Sequence, residues 1–444
     1  MAIKVGLISL GCSKNLVDSE VMLGLLSKNG FEITPNEKNA DILIINTCAF
    51  VQDARNESTN VISESIKLGK KSKRKIIVTG CLSQRYGDML KSEFKDRIHA
   101  ILGAGDFHNI VEACNAVMDG KWFSQVSESP DYVYDHLTSR LIATPRHIAY
   151  VKIAEGCDNC CSYCLIPQLR GKYRSRNVDS IVAEVNSLSQ KGTKEIILIA
   201  QDTTYYGKDL GDGTDLKLLL NKLISSSDAQ WIRTLYTHPD HINDEILKLI
   251  ASEERICSYI DLPIQHISDD ILKNMERIAN GEEIRSLIKK IRDIIPDVTL
   301  RTSLMVGFPG ETDEHFDELM KFVDETHFDH LGVFVYSSEE GTKAFDMAEQ
   351  VPESVKHDRM TQLAELHEQI VTEKRRELIG REMIVLVDEV DEDNDQAIGR
   401  TQGQAPDIDD IVFIDSGDVG SGDFIKVEIM ETVNIYDMIG GIVK

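Results

Sequence analysis

Residues 156–164 read GCDNCCSYC, which places four cysteines within eight residues. Clustered thiolates repel one another, so a group this dense predicts a bound metal rather than purely structural cysteines. The sequence allows two choices of the three ligand cysteines. In the first, Cys157, Cys161 and Cys164 are separated by three and then two residues; in the second, Cys160 replaces Cys161. Three ligands on a four-iron cube leave one iron free, which suits a cluster that binds a substrate or cofactor.

Short apolar runs alternate with amphipathic segments on the N-terminal side of this motif. Strands are predicted at residues 3–10, 41–46, 75–80 and 99–102, with helices at 16–28 and 53–70. Alternating strands and helices predict a parallel, doubly wound α/β sheet.

The motif itself follows the first strand of a longer alternating series. Strands are predicted at residues 149–154, 195–200, 231–236, 259–262, 298–306 and 330–336, with helices near 180–190, 215–225, 244–252, 282–294 and 313–325. Six such units predict a partial β/α barrel, since a complete one has eight.

The last part of the chain changes character. A long helix is predicted at residues 355–378, followed by short strands at 383–387, 396–401, 411–414 and 424–429 that indicate a small antiparallel β-barrel. The predicted domains are therefore residues 1–130, a linker at 131–146, 147–352, a bridging helix at 353–380, and 381–444.

Three further cysteines occupy equivalent places in the N-terminal domain. Cys12, Cys48 and Cys81 each come at or just after the carboxyl end of a predicted strand. Doubly wound folds bind their ligands at these strand ends. The three thiols are therefore expected to converge on one crevice and to hold a second cluster, whereas Cys114 and Cys257 are expected to be core residues.

The composition and charge of the chain indicate a folded protein and argue against membrane and nucleic-acid binding. The chain has 444 residues, of which 42% are hydrophobic and 28% charged, as in a folded protein of about three domains. No apolar run reaches the roughly 20 residues that cross a bilayer, so a cytoplasmic protein without a membrane partner is expected. The net charge of −25 argues against binding nucleic acid through its phosphates.

The first ligand register, with Tyr163 before the last cysteine, resembles the radical S-adenosylmethionine superfamily. This resemblance implies that Cys157, Cys161 and Cys164 hold a catalytic 4Fe–4S cluster whose open iron chelates S-adenosylmethionine. It also implies that Tyr163 and the segment Gly307, Phe308, Pro309 and Gly310 approach the adenosyl group. The alternative is a structural zinc site with Cys160 as the fourth ligand.

The whole chain resembles the methylthiotransferase family of radical S-adenosylmethionine enzymes. The motifs are residues 11–15 (GCSKN), 46–48 (NTC), 79–81 (TGC), 157–164 and 262–266 (LPIQH). The resemblance implies an auxiliary 4Fe–4S cluster on Cys12, Cys48 and Cys81. It further implies that one S-adenosylmethionine donates a methyl group to sulfur at this cluster while a second yields the radical. A sulfur source and an external electron donor, a flavodoxin or ferredoxin type protein, are then also required.

Members of this family modify either an adenosine in transfer RNA or an aspartate in small-subunit ribosomal protein S-twelve. The C-terminal barrel resembles the TRAM domain, which is a basic RNA-binding module in the transfer RNA enzymes. Here residues 381–444 contain four basic and sixteen acidic residues, a net charge of −12. Such a domain repels phosphates and suits a strongly basic partner.

The sequence therefore predicts a methylthiotransferase that acts on the β-carbon of an aspartate in ribosomal protein S-twelve. The substrate is either the free protein or the protein in the small ribosomal subunit. Transfer RNA is not expected as a partner. A transfer RNA adenosine methylthiotransferase is the first alternative, and a non-catalytic iron–sulfur electron carrier is the second.

Overall fold

The computed structural model describes residues 2–69, 74–94, 96–391, 393, 396–415 and 417–443. Its N-terminal sheet has the strands β1 (Lys4–Ser9), β2 (Glu32–Ile33), β3 (Ile42–Thr47), β4 (Lys75–Gly80), β5 (Ala100–Leu102) and β6 (Phe123–Gln125). They pair in parallel in the order β2-β1-β3-β4-β5-β6. The predicted parallel sheet is confirmed. The sequence does not predict β2 and β6, because each has only two or three residues at a sheet edge.

Helices cover both faces of this sheet. They are α1 (Ser13–Lys28), α2 (Gln52–Gly69), α3 (Cys81–Glu93) and α4 (Ile110–Met118). α1 and α4 pack on one face, and α2 and α3 pack on the other. All six residues of β3 are buried, which explains why this strand has an unbroken apolar run at its start.

The central domain contains the six predicted barrel strands and a short antiparallel pair. The strands are β7 (Ile148–Lys152), β8 (Ala154–Glu155), β9 (Arg174–Ser175), β10 (Glu195–Ile199), β11 (Trp231–Thr234), β12 (Tyr259–Asp261), β13 (Thr299–Val306) and β14 (His330–Val335). The strands form the parallel sheets β11-β10-β7 and β12-β13-β14, and Ile232 of β11 makes an isolated bridge with Ile256, three residues before β12. The predicted six-unit partial barrel is confirmed.

Helices pack outside these strands. They are α5 (Ile166–Arg170), α6 (Val178–Gln190), α7 (Leu216–Ser226), α8 (Asp244–Ser252), α9 (Asp269–Asn274), α10 (Gly281–Ile294) and α11 (Asp313–Thr326). Alternate strand residues such as Val151, Leu198 and Ile232 share a core with α6, α7 and α8. Their neighbours along each strand therefore face the barrel interior.

Residues 126–147 connect the two domains without a helix or strand. Their course is nevertheless fixed by buried ion pairs. Arg140 pairs with Glu20 of α1 and with Glu184 of α6, and Ala143 N donates a hydrogen bond to Glu20 Oε1 at 2.7 Å. The segment therefore holds the two domains against each other.

The helix α12 (Glu353–Leu378) leads to a closed five-stranded barrel. Its strands are β15 (Glu382–Asp391), β16 (Gln396–Arg400), β17 (Val412–Asp415), β18 (Phe424–Val433) and β19 (Asp437–Ile442), in the closed order β15-β16-β17-β19-β18. Among the described residues of this barrel, β17 and β19 are the one parallel pair. The predicted barrel is confirmed, but the sequence does not predict β19, because Gly440 and Gly441 weaken its strand pattern.

Residues 401–410, between β16 and β17, close the bottom of the partial barrel. Arg233 donates to the Gln402 carbonyl at 2.8 Å, and Tyr259 Oη donates to Asp409 Oδ2 at 2.7 Å. Both side chains face the barrel interior; Tyr259 is the first residue of β12, and Arg233 is the third residue of β11. The C-terminal barrel is thus anchored at the face opposite the strand ends that carry function in β/α barrels. No helix in the described part of the chain is long and apolar enough to cross a membrane.

Candidate active site

Three thiols lie at the carboxyl ends of neighbouring strands in the N-terminal sheet. Cys12 caps α1 after β1, Cys48 follows β3, and Cys81 begins α3 directly after β4. β1 and β3 are neighbours in the sheet, although β2 lies between them in the chain. The crevice between them is the point at which the strand order reverses, where doubly wound folds bind ligands. The backbone also brings Cys48 close to the loop before Cys12, since a Cβ at Gly11 would lie 2.7 Å from the Cβ of Cys48.

A buried arginine from the central domain reaches this crevice. Arg170, the last residue of α5, donates to Asp18 Oδ2 at 2.7 Å, and its Nη2 lies 3.9 Å from Cys81 Sγ. Desolvation would raise the pKa of the Cys12 thiol, but the charges of Lys14 and Arg170, together with the backbone amides of Lys14 and Asn15, outweigh it and lower that pKa. Burial dominates at Cys81 and raises its pKa to about 11. The thiols at this site therefore differ in acidity.

The second thiol set lies in the loop between β8 and α5. Gly156 has a φ of 74°, and a Cβ there would overlap the carbonyl oxygen of Lys172, so the loop requires glycine at its start. Cys164 N donates to the carbonyl of Cys161 at 3.1 Å. Burial raises the pKa of both Cys157 and Cys164 to about 12. Metal binding here must therefore displace protons.

Cys160 stands apart from its three neighbours. It is exposed, and the contact made by its thiol is with the carbonyl of Asp158 at 3.6 Å. The other three cysteines of the loop are partly covered.

In each cysteine set, at least one pair of thiols lies farther apart than the ligands of a single zinc ion. Thiolates on one zinc ion lie about 3.8 Å apart, given Zn–S bonds of about 2.3 Å in a tetrahedron. Among the described residues, the group with three ligand atoms mutually within 4.8 Å is Asp202, His238 and His241. Neither cysteine set is gathered this closely, so the thiols as they stand do not form a closed single-ion site.

The residues predicted to contact the adenosyl group lie beside this loop. The Tyr163 ring packs edge-on to Phe308, with centroids 6.4 Å apart, and Phe308 packs edge-on to Tyr336 at 5.3 Å. Phe308 and Pro309 are buried. The loop after β13 is held by Glu311, whose Oε2 accepts from Gly307 N at 2.8 Å and whose Oε1 accepts from Arg359 at 2.8 Å. Tyr163 and the segment from Gly307 to Gly310 thus lie close to one another.

A polar network beside the cysteine loop is not apparent from the sequence. Asp202 Oδ2 and His241 Nδ1 are 2.6 Å apart, and the His238 ring stacks on His241 with centroids 4.9 Å apart. Arg277 donates to His238 Nε2 at 2.8 Å and lies 3.9 Å from Cys161 Sγ. Burial and the Arg277 charge lower the pKa of His238 to about 3, so its ring is neutral. His238 Nε2 and His241 Nδ1 thus already have protein partners.

Family models match three parts of the chain. The Radical SAM superfamily matches residues 151–323, an uncharacterized protein family designated UPF0004 matches residues 4–103, and the TRAM domain matches residues 379–443. These matches fall on the partial barrel, the N-terminal sheet and the closed C-terminal barrel. Membership of the radical S-adenosylmethionine superfamily implies a 4Fe–4S cluster and S-adenosylmethionine as cofactors.

Full-length relatives identify the family. The chain is 47% identical over 442 residues to the ribosomal protein uS12 methylthiotransferase RimO of Syntrophotalea carbinolica, covering 99% of this chain and 97% of that one. It is 48% identical over 439 residues to RimO of Desulforamulus reducens, covering 98% of each. The chain belongs to the RimO family. The predicted resemblance to methylthiotransferases is therefore confirmed.

Solved structures share the fold of this RimO family member. The radical S-adenosylmethionine methyltransferase TsrM from Kitasatospora setae has a TM-score of 0.55 and 15% identity, covering 78% of this chain and 77% of that one. The cobalamin-dependent S-adenosylmethionine radical enzyme OxsB has a TM-score of 0.52 and 11% identity, covering 83% of this chain and 56% of that one. At these identities the likeness concerns the fold alone.

Proposed function

We propose that this chain is a radical S-adenosylmethionine methylthiotransferase that adds a methylthio group to the β-carbon of an aspartate in ribosomal protein uS12. The main support for this proposal is that one short helix connects the two separate groups of three cysteines. α5 has five residues, about 7.5 Å of helix, and it begins two residues after Cys164 and ends at Arg170 beside Cys81. A radical source and a sulfur donor at these sites can therefore act on one substrate carbon. The relatives that cover nearly the whole chain carry the name of this activity.

In this proposal each thiol set has its own group. Cys157, Cys161 and Cys164 hold the cluster that binds S-adenosylmethionine, and an auxiliary 4Fe–4S cluster is held by Cys12, Cys48 and Cys81. When bound, these groups supply the hydrogen-abstracting radical and the methylthio sulfur, with sulfur from an external source and electrons from a flavodoxin or ferredoxin type protein.

The surrounding residues of the chain orient the cofactor and exclude water. Glu311 fixes the Gly307 amide, and Arg359 fixes Glu311, so the loop that meets the adenosyl group is rigid. The aromatic contacts of Phe308 with Tyr163 and Tyr336 form an apolar wall beside the cysteine loop. Such a wall keeps water from a reactive species that would otherwise be quenched.

The functional units proposed are those predicted from the sequence. Residues 1–130 carry the auxiliary site, 131–146 link it to the radical domain at 147–352, and 353–380 bridge to the TRAM-like barrel at 381–444. The packing of residues 401–410 against Arg233 and Tyr259 supports this arrangement, because it leaves the opposite barrel face to the substrate.

The C-terminal barrel favours a basic protein over transfer RNA as the partner. Of its basic residues in the described part of the chain, Arg400 is buried against Asp388 and Glu195, and Lys426 pairs with Glu382. Several acidic residues also serve internal contacts, including Asp388, Asp409 and Asp410. The remaining surface is still acidic, with exposed carboxylates at Glu389, Asp393, Asp415, Asp418, Glu428 and Glu431. Few free cations remain there to neutralise phosphates.

The test is mass spectrometry after a reaction with the full-length, anaerobically reconstituted and reduced protein. It receives S-adenosylmethionine with either ribosomal protein uS12 or unmodified transfer RNA. We expect the mass of one methylthio group replacing hydrogen on an aspartate of uS12. Modification of an adenosine instead would contradict the proposed substrate and leave the reaction class standing.

Alanine variants of the auxiliary cysteines test the division between the two thiol sets. Replacing Cys12, Cys48 or Cys81 should abolish methylthio transfer while S-adenosylmethionine is still cleaved to 5′-deoxyadenosine. Iron should fall from about eight to about four per chain, because each cube holds four irons. Loss of cleavage in these variants would contradict the division.

A further inference from the structure

Lys14 is a largely buried cation that pairs with no carboxylate among the described residues, although its charge acts on the neighbouring Cys12 thiol. It lies on the first turn of α1, and its side chain is only 5% exposed. Among the described residues, no carboxylate oxygen lies within 4.0 Å of its Nζ, and the ammonium makes no hydrogen bond. The contact it does make is with the ring of Tyr236, whose centroid is 3.1 Å from Nζ. An ammonium that pairs with no carboxylate in so covered a position is available to bind an anionic ligand.

The other cations near this position already have partners. Lys152 and Arg170 share Asp18 and Glu155, and Arg301 pairs with Asp261 and Asp409. The carboxylates of this region are thus occupied by other groups, and none of them turns toward Lys14.

Lys14 lies between the two thiol sets. Cys12 is two residues before it, and Tyr236 lies two residues beyond the carboxyl end of β11, at the mouth of the partial barrel. The Ser13 and Tyr236 hydroxyl oxygens are 3.3 Å apart, so the N-terminal domain meets the barrel mouth at this point. A substrate carbon that receives sulfur from one site and loses hydrogen to the other must pass through the same region.

The Tyr236 backbone is held in a strained conformation. Its φ is 60°, which is uncommon for a bulky residue, and its amide donates to Asp261 Oδ2 at 2.9 Å. Strain of this kind persists where the surrounding structure enforces it, and it concentrates at ligand-binding sites. In this conformation the Tyr236 ring lies under the Lys14 ammonium.

We propose that Lys14, supported by Tyr236, binds the carboxylate of the substrate aspartate and selects this side chain over its amide analogue. This inference rests on the proposed function. The carboxylate is bonded directly to the β-carbon that is modified, so an anion site here would set that carbon between the two thiol sets. A charged hydrogen bond to Lys14 would favour aspartate over asparagine, which presents a neutral amide.

The test compares uS12 carrying the target aspartate with uS12 carrying asparagine at that position. With the reconstituted full-length protein, we expect Lys14→Met to raise KM for the aspartate substrate by about tenfold to a hundredfold. The smaller turnover of the asparagine substrate should change little, so the preference between the two collapses. Lys14→Arg should restore part of the preference. Lys14→Gln keeps a hydrogen-bond donor without the charge and should also lose the preference. Lys28→Met, at the exposed end of the same helix, is the matched control.

Two further measurements distinguish substrate binding by Lys14 from an effect of its charge on the auxiliary cluster. They are the iron content and the electron paramagnetic resonance spectrum of that cluster. We expect both to stay as in the unmodified protein. An altered spectrum with an unchanged preference would overturn the proposal, because Lys14 would then serve the cluster. An unchanged preference in both Lys14→Met and Lys14→Gln would overturn it as well. If the unmodified protein leaves the aspartate untouched, the proposed function itself fails and this inference falls with it.

Discussion

Arg170 shows how one side chain can link two distant parts of the chain. It follows the second cysteine set by six residues, yet it contacts Asp18 and Cys81 in the other domain. Its charge and that of Lys14 act on Cys12, whereas burial governs Cys81. The thiols of one site are therefore unequal before any metal binds.

This inequality predicts the pH dependence of alkylation in the metal-free protein. Because the pKa of Cys12 is lowered, its thiolate should form below the ordinary pKa of 9.0, and Cys12 should react with iodoacetamide at a lower pH than an ordinary cysteine does. Cys81 should react only as the pH approaches about 11. Mass spectrometry of the labelled peptides across a pH series gives both midpoints.

Arg170→Met should move the Cys12 midpoint to higher pH, since one of the two lowering charges is lost, and Arg170→Lys should retain most of the effect. A Cys12 midpoint at or above 9.0 in the unmodified protein would contradict the proposed influence of these cations.

At the scale of secondary-structure elements, the sequence predicts the strands and helices whose apolar residues repeat with a clear period. All six barrel strands and the cysteine positions after β1, β3 and β4 follow from apolar periodicity and spacing. The short edge strands β2 and β6 and the glycine-containing β19 do not, because their pairing depends on neighbours distant in the chain. For the same reason the Asp202, His238 and Arg277 network escapes prediction, since tertiary packing alone brings its members together.

The cysteine loop depends on the conformation of a single glycine. Gly156→Ala should destabilise the metal-free protein by about 2–5 kcal/mol, of which about 1–2 reflects positive φ and the rest overlap with Lys172. Gly120→Ala is a matched control, because Gly120 also has a φ of 74° but no heavy atom within 4 Å of a built Cβ. Urea unfolding measures both. After reconstitution, Gly156→Ala should contain less iron than the unmodified protein, and Gly120→Ala should not. Equal losses of stability in the two variants would show that overlap of the new Cβ with the Lys172 carbonyl is unimportant.

At the scale of the whole molecule, buried ion pairs hold the domains together. Arg55 and Arg85 of the N-terminal domain both pair with the buried Glu339 after β14. Arg400 of the C-terminal barrel pairs with Glu195 of the central domain and with Asp388. Such pairs contribute specificity of docking, and their loss leaves a buried charge without a partner.

Arg400→Met should therefore lower the free energy of unfolding by about 3–5 kcal/mol. The exposed pair of Lys426 with Glu382 provides the control, and Lys426→Met should cost at most about 1 kcal/mol. Folding lowers the pKa of Glu195 and of Asp388 below their ordinary values of 4.5 and 3.8. The stabilisation is thus complete at neutral pH and is lost as the pH falls through and below these values. Denaturation series at neutral and acidic pH check both statements, and an equal effect of the two variants would contradict them.

The packing of α5 bears on how such proteins can be recombined. Leu165 and Leu169 lie in the hydrophobic core of the N-terminal sheet, together with Ile45, Val78 and Leu82, although they belong to the sequence of the central domain. A graft that exchanges the first sheet between two relatives would cut through this core unless residues 165–170 travel with it. The N-terminal sheet and residues 165–170 therefore form one structural unit, although they are separated in the gene. Chimaeras that exchange the sheet alone, with the junction in residues 126–147, should fold poorly.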